Sequence, residues 1–303
     1  MMVDDVQQPM FSVIVPTYNR PAALVACLES LAQMAYPAGA WELIVVNDGG
    51  QESFTAVTEQ LKNRLPLHLL TVAHNGPAAA RNAGAQRAQG EYLAFTDDDC
   101  QVTPDWLQAF AAGFADGRWQ ALGGQTVSPF LQNRAERAWQ HLTDFLNLFM
   151  QDDAANALLL ISNNVAYRRA TFAKLGGFNE TFPLAAAEDM ELSYRLLAAG
   201  YRQSIWPEAK VWHYHHLSAW GHVRQQFRYG RGGYYFNQAL AENPSAQLRP
   251  LYLNEAFLPS LRQSMRRAGL PYMARGMVLA GQYAYKVGLR YQTWRAQMGR
   301  DGL

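Results

Sequence analysis

Four short apolar runs, separated by segments of helical periodicity, constrain the fold of this 303-residue chain more than any other feature. The runs cover residues 11–17, 41–46, 67–73 and 92–96. The first two are rich in β-branched residues, as expected for strands of a parallel sheet that is buried on both faces. This alternation of strands and helices predicts a doubly wound α/β fold.

Polar residues stand where these predicted strands end. Thr17 closes the first run, Asp48 follows the second, and the fourth leads into the aspartate triplet, which is Asp97, Asp98 and Asp99. Because ligands of open α/β sheets bind outside the carboxyl ends of the strands, these residues predict a binding site along one edge. Asp48 suits a contact to a base or ribose, with a turn aspartate before two glycines as the alternative.

The aspartate triplet predicts a positive partner. Three adjacent carboxylates repel one another by roughly 1 kcal/mol or more at partial burial. Mg²⁺ and Mn²⁺ prefer oxygen ligands and are commonly held by one or two carboxylates together with substrate phosphates. A solvated acidic loop is the alternative interpretation.

Three further positions carry groups that could take part in chemistry. Arg81, in a predicted helix, could pair with a diphosphate or could be an ordinary surface arginine. Glu188 and Asp189 open another predicted helix, where acids ordinarily stabilise the helix dipole by ~0.3–1 kcal/mol. His213 and His215 are predicted on one face of a strand, where an imidazole could complete a coordination sphere begun by a carboxylate.

Composition narrows the class of protein. Two cysteines, Cys27 and Cys100, do not make a disulfide framework, which predicts a reducing compartment. The first ten residues lack the pattern of a secretory signal, and no window of eighteen consecutive apolar residues could span a bilayer. A cytoplasmic location is therefore expected.

The net charge of +1 conceals an uneven distribution of charge. Residues 1–200 hold 12 Lys/Arg against 21 Asp/Glu, a net of −9, whereas residues 201–303 hold 14 against 4, a net of +10. The basic part could meet phosphates, nucleic acid or an anionic membrane surface, or could be a solvated face. Within it, residues 272–291 predict an amphipathic helix that lies on a membrane or packs on the catalytic domain.

Seven motifs in chain order resemble those of the family 2 glycosyltransferases, over roughly residues 10–235. The matching segments are 12–20, 44–50, 75–84, 95–99, 176–182, 188–197 and 212–216. The resemblance implies the GT-A (Rossmann-like) fold, a mixed, mostly parallel α/β sheet with a helical C-terminal extension. It implies a catalytic domain over 1–235, divided into a nucleotide-binding half (about 10–105) and an acceptor-binding half (about 106–235). The helical, basic extension would cover 236–303.

The resemblance also implies roles for individual residues. The implied nucleotide contacts are Pro16, Thr17, Tyr18, Asn19, Asp48, Arg81, Asp97 and Asp98. Asp99, the last aspartate of the family's DxD element, and His213 or His215 are the implied ligands of Mn²⁺ or Mg²⁺. Asp189 is the implied general base on the acceptor hydroxyl.

A last group is implied near the donor sugar and the acceptor. Its members are Asn163, Asn164, Arg168, Glu188, Gln225, Arg228 and Tyr229. The last three resemble the QxxRW element of processive synthases, but a tyrosine replaces the tryptophan and no membrane channel is encoded. A non-processive enzyme is therefore expected.

The implied function is a metal-dependent, inverting transfer of a sugar from a nucleoside diphosphate, with a UDP-sugar ranked first. The acceptor would be a hydroxyl of a glycan or lipid-linked saccharide in cell-envelope synthesis, with peripheral contact to the inner face of the membrane left open. One alternative is a sugar-nucleotide pyrophosphorylase, although no glycine-rich loop follows the first run. A catalytically silent nucleotide-sugar or carbohydrate-binding module is another. Nucleic-acid binding would not account for the acidic site.

Overall fold

The computed structural model describes residues 11–50, 54–151, 156–182, 186–242 and 255–299. The strands of this part are β1 (Phe11–Thr17), β2 (Trp41–Asp48), β3 (Leu67–Val72), β4 (Tyr92–Thr96), β5 (Cys100–Val102), β6 (Ala121–Val127), β7 (Asn164–Arg168) and β8 (Gln203–His213). The helices are α1 (Pro21–Leu31), α2 (Thr55–Leu61), α3 (Pro77–Arg87), α4 (Trp106–Phe114), α5 (Arg134–Phe149), α6 (Arg169–Lys174), α7 (Glu188–Ala198), α8 (Ala219–Glu242), α9 (Phe257–Arg267) and α10 (Tyr272–Gln297).

The strands form one sheet in the order β3-β2-β1-β4-β7-β6-β8-β5. β1 is parallel to both β2 and β4, and β2 is parallel to β3. β7 is antiparallel to both β4 and β6. The predicted mixed α/β sheet is confirmed, with the parallel strands contributed by the four runs that the sequence singles out.

Burial explains why three of the four runs have the sequence pattern of parallel strands. Every residue of β1, β2 and β4 is buried. Phe11, Val13 and Val15 of β1 share one core cluster with α1 and α4 residues such as Leu28 and Phe110. Because side chains alternate along a strand, these three residues cover one face of the sheet.

Contacts divide the described residues into two compact units. The first falls within Met1–Thr126, Leu160–Gly177 and Arg202–Trp212, and contains nearly the whole sheet. The second falls within Val127–Leu159, Phe178–Tyr201 and His213–Leu303, and contains α5 and α7–α10. The expected boundary at 235/236 falls inside α8, which continues to Glu242. The domain limits proposed from the resemblance stay a prediction.

The glycine-rich segment 224–235 lies within α8. A Cβ atom on Gly230 would lie 1.9 Å from the carbonyl oxygen of Tyr285, and one on Gly288 would lie 2.0 Å from that of Phe227. The backbones of α8 and α10 therefore approach closely because side chains are missing at both contacts. No helix within the described ranges has the length and apolar character that a bilayer span requires.

We expect Gly288→Ala to destabilise the second unit and Gly276→Ala to stabilise it. The first change forces a methyl group against backbone, and should lower the free energy of unfolding by about 3 kcal/mol or more. The second lies on the same helix with no atom within 4 Å of the new methyl group, and should gain roughly 0.5–1 kcal/mol. Chemical denaturation of both variants measures the difference. Equal effects would contradict the close α8–α10 contact.

Candidate functional site

The candidate site lies where the strand order reverses. From β1 the chain builds β2 and β3 on one side, and it then places β4 on the other side of β1. In open α/β sheets, ligands bind at such a switch point, outside the carboxyl ends of the two strands. Thr17 ends β1, and the aspartate triplet follows β4 directly. The topology thus brings these predicted site residues together.

Asp98 is the centre of a buried polar network. Its side chain is fully buried, accepts a hydrogen bond from Thr17 Oγ1 at 2.7 Å, and lies 2.5 Å from Arg20 Nη2. Arg20 Nη1 also donates to Asp99 Oδ2 at 2.8 Å. One guanidinium therefore bridges two of the three carboxylates. Sequence analysis did not single out Arg20, although its place directly after Asn19 in the first motif was a usable signal.

Arg81 neutralises the remaining carboxylate. Its side chain is almost fully buried in α3, and Nη2 donates to Asp97 Oδ1 at 2.6 Å. The positive partner predicted for the triplet is thus supplied, in this structure, by Arg20 and Arg81. The surface interpretation of Arg81 is wrong, and a solvated loop does not describe a triplet whose central member is fully buried.

The buried network shifts the protonation of its central member. Burial raises the pKa of Asp98 to about 7, and the like charges of Asp97 and Asp99 act in the same direction. The Arg20 charge and the Thr17 hydrogen bond lower this pKa, but less than burial raises it. Asp98 is therefore partly protonated near neutral pH in the ligand-free protein.

Asp48 holds the loop that leads into α3. Its carboxylate accepts hydrogen bonds from the backbone N–H groups of Asn75 and Gly76, both at 3.0 Å, and contacts His74 Nδ1 at 2.9 Å. The loop passes so close that a Cβ atom on Gly49 would lie 2.5 Å from the backbone nitrogen of His74. These contacts match the turn interpretation of Asp48, and its role as a base contact stays a prediction.

An exposed aromatic pair lies beside this loop. The ring of Tyr18 stacks on that of His74 with centroids 4.2 Å apart and planes inclined by 17°. Tyr18 is 43% exposed. Pro16 is buried within β1, and Asn19 has a left-handed φ of 52°. Such conformations cost energy and cluster at binding sites.

The structure separates the three residues implied on β7 and just before it. Asn164 pairs with Thr96 and so lies at the aspartate end of the sheet, whereas Arg168 pairs with Tyr92 at the other end. Asn164 accepts from Trp106 Nε1 at 2.8 Å, and Asn163 accepts from Thr126 Oγ1 at 3.1 Å.

Arg168 binds the backbone oxygen of Trp119 and the side chain of Glu91. It is not brought to the aspartates, because β7 runs antiparallel to β4. We therefore leave it out of the site proposed below.

Within the second unit, Glu188 and Asp189 form the first turn of α7. Glu188 is buried, and Asp189 Oδ1 accepts from the backbone N–H of Met190 at 2.8 Å. The residue before them, Ala187, has a φ of 75°. A left-handed conformation at a residue other than glycine costs on the order of 1 kcal/mol or more. At Ala187 it sets the direction in which the chain enters α7.

Gln225, Arg228 and Tyr229 lie on α8 with the spacing of neighbours on one helix face. Arg228 is exposed, and the other two are half-buried.

The histidine cluster differs from its prediction in secondary structure. β8 ends at His213, so His215 follows the strand instead of continuing it. The two rings nevertheless stack, with centroids 4.0 Å apart. His216 packs instead against Phe130, with centroids 4.2 Å apart.

Glu136 of α5 anchors this histidine segment and was missed from the sequence. It is fully buried and accepts hydrogen bonds from the backbone N–H of Leu217 at 2.6 Å and from Ser128 Oγ at 2.8 Å. Its Oε2 also lies 3.5 Å from His215 Nε2. Glu136 lies within a region, residues 131–160, whose secondary structure the sequence left ambiguous.

Comparison with known proteins shows which family this chain resembles. Residues 12–176 match the family model described as glycosyl transferase family 2. The glycosyltransferase AglE of Haloferax volcanii is 26% identical over 228 residues, which cover 74% of this chain and 73% of AglE. The chain spans about half the length of two further curated relatives.

Solved structures show the same fold. The mannosyltransferase PcManGT of Pyrobaculum calidifontis, in complex with GDP-Man and Mn²⁺, aligns with a TM-score of 0.65 and 19% identity, over 98% of this chain and 86% of PcManGT. TarS of Staphylococcus aureus, in complex with UDP-GlcNAc, aligns with a TM-score of 0.56 and 18% identity, over 96% of this chain and 92% of that chain. At these identities the likeness concerns the fold, which is the GT-A sheet that the sequence motifs implied.

We expect the stability of the ligand-free protein to fall between pH 4 and pH 7 because of Asp98. Across this window the folded protein keeps a proton that an unfolded aspartate, with its ordinary pKa of 3.8, has released. Raising the pH therefore favours unfolding, by an amount on the order of a few kcal/mol. Asp98→Asn should lack this decline, whereas Asp116→Asn, on an exposed turn, should keep it. Denaturation with chelator at several pH values compares them, and parallel curves for all three proteins would contradict the assignment.

We expect Glu136→Ala to lower the free energy of unfolding by about 3 kcal/mol, because it leaves the N–H of Leu217 and the hydroxyl of Ser128 buried without their acceptor. Asp144→Asn, on the same helix, keeps a side-chain oxygen for the hydrogen bond from Gln140 Nε2, so it should change the free energy of unfolding by less than about 0.5 kcal/mol. Urea denaturation monitored by tryptophan fluorescence measures both. A loss no larger than that of the control would show that Glu136 does not anchor the histidine segment.

Proposed function

This chain belongs to glycosyl transferase family 2, and from that premise we propose that it transfers a sugar from a nucleoside diphosphate to a hydroxyl of a glycan or lipid-linked acceptor. We propose further that transfer inverts the anomeric centre and adds one sugar at a time. The observation that carries the proposal is the aspartate triplet at the switch point between β1 and β4, held by Arg20 and Arg81.

The triplet suits a hard divalent cation. It offers carboxylate oxygens, the ligands that Mg²⁺ and Mn²⁺ prefer. Three carboxylates share two guanidinium groups, and burial together with the charges of Asp97 and Asp99 raises the pKa of Asp98 to about 7. The side chain of Asp99 is 17% exposed, so this end of the triplet is not sealed from solvent. A bound cation would act as a Lewis acid that stabilises negative charge on the departing diphosphate.

Different residues would then bind the metal ion and the nucleotide. Asp99 is the proposed metal ligand, with His213 or His215 as a further ligand by family resemblance. The hydrogen bond from Thr17 holds the buried Asp98 in place and thereby positions the adjacent Asp99. The stacked rings of Tyr18 and His74 offer an exposed aromatic surface for a nucleobase, next to Asp48.

Asp189 is the proposed general base. A base within hydrogen-bond reach of the incoming hydroxyl contributes typically 10²–10⁴-fold to the rate. Asp189 lies in the first turn of α7, where the helix dipole provides partial positive charge. Asp189 Oδ1 accepts a hydrogen bond from the backbone N–H of Met190, which holds the carboxylate at the start of α7.

UDP-sugars are the proposed donors of first choice. The fold accommodates more than one base, since PcManGT is described with GDP-Man and TarS with UDP-GlcNAc. The proposed acceptor, a cell-envelope glycan or lipid-linked saccharide, rests on the family resemblance alone.

We expect a UDP-sugar with Mn²⁺ to raise the melting temperature, and we expect Asp189→Asn to keep this shift while it loses turnover. A ligand at 100 times its Kd stabilises by about 2.7 kcal/mol, a shift of a few degrees for a chain of this size. The experiment screens UDP-glucose, UDP-GlcNAc and GDP-mannose with Mn²⁺ or EDTA. It then measures nucleotide release with simple glycoside acceptors.

Two variants and one control separate the roles. Asp99→Ala should lose the Mn²⁺-dependent shift, Asp189→Asn should lose only nucleotide release, by at least about 10²-fold, and Glu180→Gln should lose neither. If Asp189→Asn loses the shift as well, or keeps full turnover, it is not the base. A shift in the wild type without nucleotide release from any donor would favour a silent binding module.

A further inference from the structure

Helix α10 has two apolar faces. One is packed within the second unit, and the other is largely exposed, although the ring of Tyr291 on it lies 5.7 Å from that of Phe227 in α8. The buried residues Val278, Gly281, Gly288 and Gln292 lie on one side, and the contacts with α8 are made there. The helix is 26 residues long, or about 39 Å at 1.5 Å per residue.

The outer face is an apolar stripe, which we call the α10 stripe. Its members are Tyr272, Met273, Tyr283, Val287, Tyr291, Trp294 and Met298, the last at the helix end. Tyr272 is 86% exposed, Tyr283 71% and Trp294 49%. At about 100° per residue, all seven project within one arc of roughly 100°. Single exposed apolar residues are ordinary, but a continuous stripe marks an interaction surface.

The charge of α10 is entirely positive. The helix contains Arg275, Lys286, Arg290 and Arg295, and it contains no aspartate or glutamate. Lys286 and Arg290 are exposed and lie at the edge of the stripe by helical spacing. The guanidinium of Arg275 lies 5.1 Å from the ring centre of Tyr272. Cations therefore border aromatic side chains along the outer face.

We propose that the α10 stripe binds the surface of an anionic lipid bilayer. Tyrosine and tryptophan favour the interface between headgroups and acyl chains, and flanking lysine and arginine attract anionic lipid. A second copy of the chain is disfavoured as the occupant, because pairing two stripes would bring four positive charges against four. The helix lies on the bilayer and does not cross it. This proposal goes beyond the transfer reaction and does not depend on it.

The test is flotation of the full chain with vesicles, in the absence of nucleotide. The wild type should float with phosphatidylcholine vesicles that contain about 30% phosphatidylglycerol, and it should float much less with phosphatidylcholine alone. Binding should weaken as salt is raised, because charges near a surface are screened.

Variants separate the apolar from the electrostatic contribution. The combined change Tyr283→Gln, Val287→Gln and Trp294→Gln should weaken binding by more than about a hundredfold, since each inserted side chain contributes about fivefold to tenfold. Lys286→Gln with Arg290→Gln should weaken it by roughly 30-fold, at about fivefold for each basic side chain. The matched control replaces three exposed apolar residues elsewhere, Val25→Gln, Leu131→Gln and Leu148→Gln, and should bind like the wild type.

Three results would overturn the proposal. The first is failure of the wild type to float with anionic vesicles. The second is flotation of the stripe variant to the same extent as the wild type. The third is an equal reduction of flotation in the control variant and the stripe variant. If light scattering shows that the wild type is a dimer and the stripe variant a monomer, without vesicle binding, a second copy occupies the stripe. Circular dichroism and the donor-induced thermal shift, measured without vesicles, confirm that each variant is folded and judge the transfer proposal separately.

Discussion

The bridge from Arg20 to Asp98 and Asp99 joins two strand ends that are about 80 residues apart in the chain. Removing an ionised carboxylate from water costs several kcal/mol unless a partner and further hydrogen bonds compensate. Here the compensation is incomplete, as the raised pKa of Asp98 shows. The carboxyl end of β4 is therefore a place where additional positive charge would be stabilised, and this property follows from the fold before any ligand is considered.

The end of the neighbouring strand, β2, is held in place by a different set of contacts. The carboxylate of Asp48 holds the loop before α3 at the end of β2 by accepting hydrogen bonds from two backbone N–H groups of the loop, and Gly49 allows the loop to approach. The Tyr18–His74 pair then rests on this tied loop. Groups positioned by internal bonds need little rearrangement when a ligand arrives, so the edge of the sheet is largely preformed.

Local signals in the sequence were enough to predict the parallel half of the sheet, because its strands are short apolar runs and each run is followed by turn residues. Arg20 lies in the first motif, but its contacts could not be read from that segment, because they are made with the distant partners Asp98 and Asp99. The direction of β7 was also invisible, and it decides that Asn164, and not Arg168, lies at the site. Glu136 was missed because a buried acid on a helix has no local signature.

Helix α8 shows why local preference can mislead. Glycine disfavours a helix by about 1 kcal/mol relative to alanine, yet α8 contains Gly230, Gly232 and Gly233. Contact with α10 outweighs that preference, because only glycine admits the opposing carbonyl groups of Tyr285 and Phe227. The inner side of α10 therefore tolerates almost no variation in side-chain volume. Its outer side is not restricted in this way, so substitutions there can adapt this surface to a new environment without changing the close packing of α8 on α10.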